Sequence, residues 1–197
     1  KLIGPTDTSA QPTIRYEYDP CLSTSSCTPP LRSVVHNRVQ SGQTKELPVY
    51  AFTDGLGRAI QTRSPSEDPT KQVVAGAVEF NARGLVIKQW VPYLDILSSS
   101  YRPHSALVAG LAPPVTYTYD PLGRLLTTQD PDGSISATAY SDWSVTATDA
   151  NGNQTRRTSD AYGRLITVEE FDAAQTHTTT YQYDTLGNLI RVTDHAG

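Results

Sequence analysis

Apolar and polar positions alternate along this chain in short runs, and most runs are closed by a turn. VTYTY at 115–119, TTTYQY at 178–183, TIRYEY at 13–18 and LPVYAF at 47–52 are rich in β-branched and aromatic residues, and several alternate with a period of two. That period sends successive side chains to opposite faces of a sheet, so each run predicts a strand. No stretch keeps a helical period. SYRPHSALVAGL at 100–111 comes nearest, but Pro103 breaks it and Pro113 and Pro114 follow it. Residues 95–114 are therefore expected to form an inserted loop carrying at most one short helix.

The turns share a formula: aspartate, two variable residues, glycine, then arginine or asparagine. It occurs as DGLGR from Asp54 to Gly57 and Arg58, DPLGR from Asp120 through Gly123, DANGN from Asp149 through Gly152, DAYGR from Asp160 through Gly163 and DTLGN from Asp184 through Gly187. A degenerate copy, NARGL, starts at Asn81, and DPDG adds the pair Asp130 and Gly133. An aspartate at the first position can accept hydrogen bonds from the backbone ahead of it, and a glycine at the fourth tolerates φ > 0. Asp-Pro-Leu-Gly at 120–123 meets both demands and adds a proline whose fixed φ suits a type I turn. The unit thus predicts an antiparallel hairpin with a left-handed glycine and a bulge. A small apolar pair follows four of the turns: Ala59-Ile60, Leu125-Leu126, Leu165-Ile166 and Leu189-Ile190. Simple alternation would send the two members of each pair to opposite faces. Spacing between successive units varies from 11 to 39 residues, so the repeat is one of a turn with insertions, without the fixed period of a solenoid.

Composition narrows the classes of function. Hydrophobic residues make up 37% of the 197, and the chain carries 13 glycines and 14 prolines, a balance that favours strands and turns. With a formal net charge of -4 and no run of lysine or arginine, the chain lacks the basic footprint of a nucleic-acid binder or of a protein held on anionic lipid. No apolar run approaches the roughly 18 residues that would span a bilayer as a helix. Having no methionine and beginning at Lys1 in the middle of the pattern, the sequence reads as a piece of a longer protein. Cys21 and Cys27 flank a short loop in CLSTSSCTPP, compatible with a small disulfide ring or with two free thiols; two cysteines alone cannot build a four-ligand zinc site.

Candidate chemistry is sparse. The repeated aspartate and arginine could supply an acid and an anion clamp, but the pair recurs at Asp54/Arg58, Asp120/Arg124 and Asp160/Arg164. A single active site has no use for three copies of its acid, so the pairs are read as turn cap and following strand. Asp149, Asn151 and Asn153 occupy the first, third and fifth positions of an EF-hand register with Asp160 at the twelfth, yet Gln154 stands where the loop needs glycine. His36, His104, His177 and His195 are scattered without ligand spacing, and no nucleophile elbow, P-loop or dinucleotide fingerprint occurs. Neither catalysis nor a cofactor or metal is expected. NQT at 153–155 fits a glycosylation sequon.

YTYDPLGRLLTTQDPDG at 117–133 and YQYDTLGNLIRVTDHAG at 181–197 together resemble the RHS or YD-repeat family, whose unit is a Tyr-x-Tyr-Asp strand, a turn ending in Gly-Arg and a short apolar strand. Residues 47–93 and DWSVTATDANGNQT at 142–155 are more particularly similar to the RHS-repeat region of Tc-type toxin B subunits and their SpvB-like relatives. The resemblance implies an all-β chain of antiparallel hairpins in a twisted, spiralling sheet. It also implies a division into a divergent unit with the cysteine loop at 1–46, RHS-like repeats at 47–94, the inserted loop at 95–114 and YD repeats at 115–197, in one continuous β-structure. Such proteins form a hollow shell around a toxic polypeptide. The implied partners are then neighbouring repeats of the same shell, an encapsulated polypeptide and toxin-complex subunits, in a secreted bacterial setting without membrane insertion by this segment. The alternative is an extracellular adhesion or glycan-binding module, in which Trp90, Tyr93 and Tyr101 around the inserted loop, or the cysteine loop, would meet a partner.

Overall fold

A computed structural model describes residues 7–8, 11–18, 29–40, 43–104, 113–172 and 175–196. Cys21, Cys27 and residues 105–112 of the inserted loop lie outside them. Among the described residues there are sixteen strands and no α-helix. The chain divides into two compact units, Lys1–Pro114 and Val115–Gly197.

In the first unit a sheet runs in the order β1 (Ile14–Tyr18), β2 (Leu31–Arg38), β3 (Glu46–Thr53), β4 (Ala59–Pro65), β5 (Lys71–Ala75) and β8 (Tyr93–Ile96), with every neighbouring pair antiparallel. The hairpin of β6 (Val78–Phe80) and β7 (Val86–Gln89) is inserted between β5 and β8. One sheet face is buried, and it is unusually polar. Phe52 and Val74 lie on it, but so do Gln61, Arg63, Gln72 and Asp95, all at most 8% exposed. Residues 97–104, which follow β8, lie against this face as a strandless strap, and the polar side chains fasten it and the end of β8. Gln61 donates to the carbonyl of Arg102 (3.0 Å), Arg63 to that of Ile96 (2.6 Å), and Ser98 N–H donates to Gln72 Oε1 (2.9 Å). A segment without strand partners leaves its backbone groups to be satisfied by side chains, which explains polar residues on an inward face. Beside them, Val74, Ala77 and Trp90 form a small apolar cluster against which Tyr93 packs.

The second unit is simpler. Strands β9 (Val115–Tyr119), β10 (Leu125–Gln129), β11 (Ile135–Ser141), β12 (Ser144–Thr148), β13 (Gln154–Ser159), β14 (Leu165–Phe171), β15 (Thr176–Tyr183) and β16 (Leu189–Thr193) follow one another as an antiparallel meander. Among its described residues only Asp120 is buried. A single sheet with both faces half open leans on its hydrogen-bond ladder and on pairs across strands. Arg156 faces Glu169 directly across the β13–β14 ladder and grips it with two bonds of 2.6 and 2.7 Å, while the hydroxyls of Thr118 and Thr127 meet at 2.6 Å.

Five hairpins shift register next to the turn, and the skipped residue is the second of the apolar pair. Leu125 opposes Tyr119 and Thr127 opposes Thr118, so Leu126 is the extra residue; Ile60, Ile87, Ile166 and Ile190 stand in the same place. Leu125 and Thr127, two apart, therefore face opposite sides, because the extra residue interrupts the alternation of the strand at this point. The turns at Asp130 and Asp149, which no apolar pair follows, keep an unshifted register.

Candidate functional site

Six copies of the Asp/Asn turn have one geometry. At Asp120 the backbone N–H donates to the carbonyl of Arg124 (3.0 Å), and Gly123 N–H donates to the carbonyl of Asp120 (3.0 Å). The carboxylate closes the rest: Oδ1 accepts from Leu122 N–H (2.8 Å) and Arg124 N–H (2.9 Å), and Oδ2 accepts from Arg124 Nε (2.6 Å). Asp54 and Asp160 repeat this with Arg58 and Arg164, and Asp149 and Asp184 with the side-chain amides of Asn153 and Asn188. Asn81 has a single acceptor oxygen, spent on Arg83 N–H and Leu85 N–H, and its fifth residue, Leu85, has no donor to offer. One oxygen thus serves the backbone and the second serves the fifth side chain. Gly57, Gly123, Gly133, Gly152, Gly163 and Gly187 all have φ between 78° and 89°. In the turn from Asp130 the backbone bonds are the same, but the carboxylate contacts belong to Asp132, which accepts from Ser134 N–H (2.9 Å) and Oγ (2.6 Å).

These bonds set the acidity of the aspartates. At Asp54, Asp120 and Asp160 partial desolvation is the largest single influence and acts upward, but the combined hydrogen bonds from the arginine and the turn backbone outweigh it, and the carboxyls are held below their usual range. At Asp149 and Asp184 the asparagine side chain is the largest influence and acts in the same downward direction as the net result.

The arginine does more than begin a strand. Folded back onto its own aspartate, it lays its guanidinium on an aromatic ring of a neighbouring strand: Arg58 on Phe80 (4.1 Å), Arg124 on Tyr140 (4.2 Å) and Arg164 on Tyr183 (4.9 Å). Arg58 and Arg164 also reach the glycine of the following turn on that side. A Cβ at Gly84 would lie 3.0 Å from Arg58 Nη1, and one at Gly187 would lie 3.9 Å from Arg164 Nη1. The sequence shows each Asp/Arg pair but not this link from turn to turn, because the partner ring is 16 to 22 residues away.

The arrangement leaves the aspartates chemically occupied. Asp149, which a calcium loop would need as an oxygen donor, is surrounded by N–H donors, and Asp160 sits at the other end of β13, about 20 Å along a six-residue strand. Among the described residues no group of three or more His, Cys, Asp or Glu side chains is placed to hold a metal ion. The histidines have separate surroundings. His36 lies between Glu17 (3.4 Å) and Glu46 (3.2 Å), where burial, with Arg15 acting the same way, lowers its pKa; Glu46 also receives Arg15 (3.2 Å) and Arg38 (3.7 Å). His104 stacks on Trp90 at 3.9 Å and burial lowers its pKa, while burial pushes the Tyr93 phenol up to about 12. His177 bonds to Asp172 at 3.2 Å and meets His195 edge-on at 4.7 Å, a pairing across strands that the linear spacing of 18 residues hides. Spacing likewise hides the buried pair of Arg63 and Asp95 (2.9 Å), 32 residues apart.

The family model described as RHS Repeat matches residues 109–135 and 160–197. The two matched stretches are similar to RHS repeats. The chain as a whole is similar in structure to a crystal structure of TcdB2-TccC3, with a TM-score of 0.67 and 21% identity over 96% of this chain. Similar matches are TcdB2-TccC3 without its hypervariable C-terminal region (TM-score 0.66, 20% identity, 83% of this chain) and the Photorhabdus luminescens Tc holotoxin pore (0.64, 20%, 84%). At this level of identity the likeness is one of fold: all-β antiparallel hairpins. The chain spans about a tenth of those chains, 10% to 11%. No curated protein sequence matches it.

Proposed function

We propose that this RHS segment is a stretch of wall in a larger β-shell that encloses a toxic polypeptide within a secreted toxin complex, and that it performs no catalysis itself. The observation that carries the reading is the second unit: eight consecutive antiparallel strands in a single layer, with the carboxylates of Asp120, Asp149, Asp160 and Asp184 spent on their own turns. A wall needs a sheet that continues from hairpin to hairpin and two usable faces, and it has no need of a pocket. The partners in this reading are neighbouring repeats, the enclosed polypeptide and other subunits of the complex. The test is protease protection in the full-length protein that contains this segment. A co-purifying polypeptide should resist digestion until the shell is denatured. Digestion of that polypeptide at the rate of its free form would overturn enclosure, and a hydrolytic activity lost on changing one turn aspartate would overturn the absence of catalysis.

The aromatic residues that motivated an adhesive reading are used internally. Trp90 is 8% exposed under His104, and Tyr101 packs edge-on against Phe52 at 5.8 Å. Trp90 is thereby removed from the surface, while Tyr93 and Tyr101 are half-buried.

A further inference from the structure

The hairpin between β11 and β12 departs from the turn chemistry of the rest of the sheet. Ser141 and Ser144 pair as the last residues of the two strands, so the loop is only Asp142 and Trp143. Loops of that length are usually closed by Asp-Gly or Asn-Gly. Here Trp143 stands in the place of the glycine with 61% of its surface exposed, and Asp142, at φ 45°, is the one residue other than glycine with a positive φ among the described residues. Departures from local rules of this kind gather at functional sites. The sheet holds the tip in place: the carbonyl of Trp143 accepts from Ser159 N–H (2.9 Å), and that of Ser141 accepts from Ser144 Oγ (2.9 Å). Among the described residues no ring or cation stacks on the indole, and none donates to the Asp142 carboxylate.

We propose that Asp142 and Trp143 form a binding site for a neutral saccharide. They line a cleft of about 260 Å³ together with Ser141, Arg156, Thr158 and Glu169. Glu169 holds Arg156 through Nε and Nη2 at 2.6 and 2.7 Å, which fixes the guanidinium and leaves the hydrogens of Nη1 to donate. The cleft therefore sets an acceptor, Asp142, and a donor, Arg156, around a bare aromatic ring. A cation would satisfy Asp142 and the ring but would give Arg156 nothing to donate to. An anion would meet Arg156 but be repelled, because Asp142 and Glu169 together outweigh its charge. A sugar hydroxyl both donates and accepts, and the C–H face of a pyranose ring lies flat on an indole. The volume falls below the usual range of enclosed ligand pockets, so the site grips part of a saccharide at the surface and holds it weakly. This binding is independent of what the wall encloses.

Titration of the 197-residue chain with neutral disaccharides of glucose, galactose, mannose and N-acetylglucosamine tests it, followed by tryptophan fluorescence and saturation-transfer NMR. At least one sugar is expected to bind with a Kd of about 1 mM and to shift the emission of Trp143, the other tryptophan, Trp90, being buried. Trp143→Ala should abolish that binding. Asp142→Gly should weaken it at least about tenfold, through loss of a charged acceptor, with circular dichroism unchanged because glycine adopts the same φ. Tetramethylammonium and acetate should produce no response. Failure of every one of these sugars to bind would overturn the proposal. So would a response to tetramethylammonium or acetate in place of the sugars, or sugar binding that either variant retains in full. None of these outcomes bears on protease protection in the full-length protein.

Discussion

A carboxylate has two oxygens, and in the Asp turns each has its own task. Oδ1 collects the backbone N–H groups of the third and fifth residues, and Oδ2 takes the side chain of the fifth, so arginine or asparagine there goes with aspartate at the first position, and leucine goes with Asn81. The carboxyls of Asp54, Asp120, Asp149, Asp160 and Asp184 are held below their usual range, so their folded pKa lies under the unfolded value of about 3.9. A depressed folded pKa contributes stability that is complete above the unfolded pKa and is lost as pH falls through the folded one. The carboxyls should therefore make thermal melts fall progressively below about pH 4, after an earlier and separate loss that begins below about pH 6.5 from His36 and His104, whose pKa values burial lowers in the fold. Asp184→Asn should retain its turn, as Asn81 does, while reducing the acid slope; an unchanged slope would place the acid sensitivity elsewhere. The glycine is the other fixed point. At φ 86°, Gly123 occupies a region that β-branched residues rarely enter, and Gly123→Val should cost roughly 1 to 3 kcal/mol by urea titration.

At the scale of the element, hairpins were legible where their signals were local. β9 spans the five residues of VTYTY, and the turn after it is held by residues within five positions of one another. The apolar pair was visible but the register shift at its second member was not, because a register shift follows from how two strands meet and not from the alternation of one. The buried polar face of β4 was beyond local reading altogether. Gln61 and Arg63 sit in an ordinary alternating strand, and only the end of β8 and the strap at 97–104 make them inward, fully buried groups. Arg63 is bonded there to Asp95, Gln72 and the carbonyl of Ile96. Removing one partner of a buried pair leaves the other charge uncompensated, so Asp95→Ala should destabilise the first unit by about 3 to 5 kcal/mol. A loss under about 1 kcal/mol in urea unfolding would mean that water takes over the role of Asp95.

Across the whole molecule, the two units differ in what holds them. The first has buried apolar side chains under a strap, among them Phe52 at 1% and Val74 at 0% exposure, whereas the second has ladders, cross-strand pairs and stacked arginines around one buried aspartate. A unit that buries little apolar surface opens with a shallow dependence on denaturant. Hydrogen exchange in low urea should show amides of β3, β4 and β5 protected longest and those of β15 and β16 exchanging first. Equal protection in the two sets would show that the single sheet is covered in solution.

Sequence alone determined the all-β class, the hairpin character and the place of most turns, because a turn is specified by residues that touch along the chain: an aspartate, a glycine three on and a donor at the fifth position. Tertiary structure alone decided which arginine covers which ring, where the inward face turned polar, that Trp90 is core and that Trp143 shares a cleft with Arg156. Each of these depends on which strand lies beside which, a matter of loop lengths and pairing over tens of residues that no local pattern encodes.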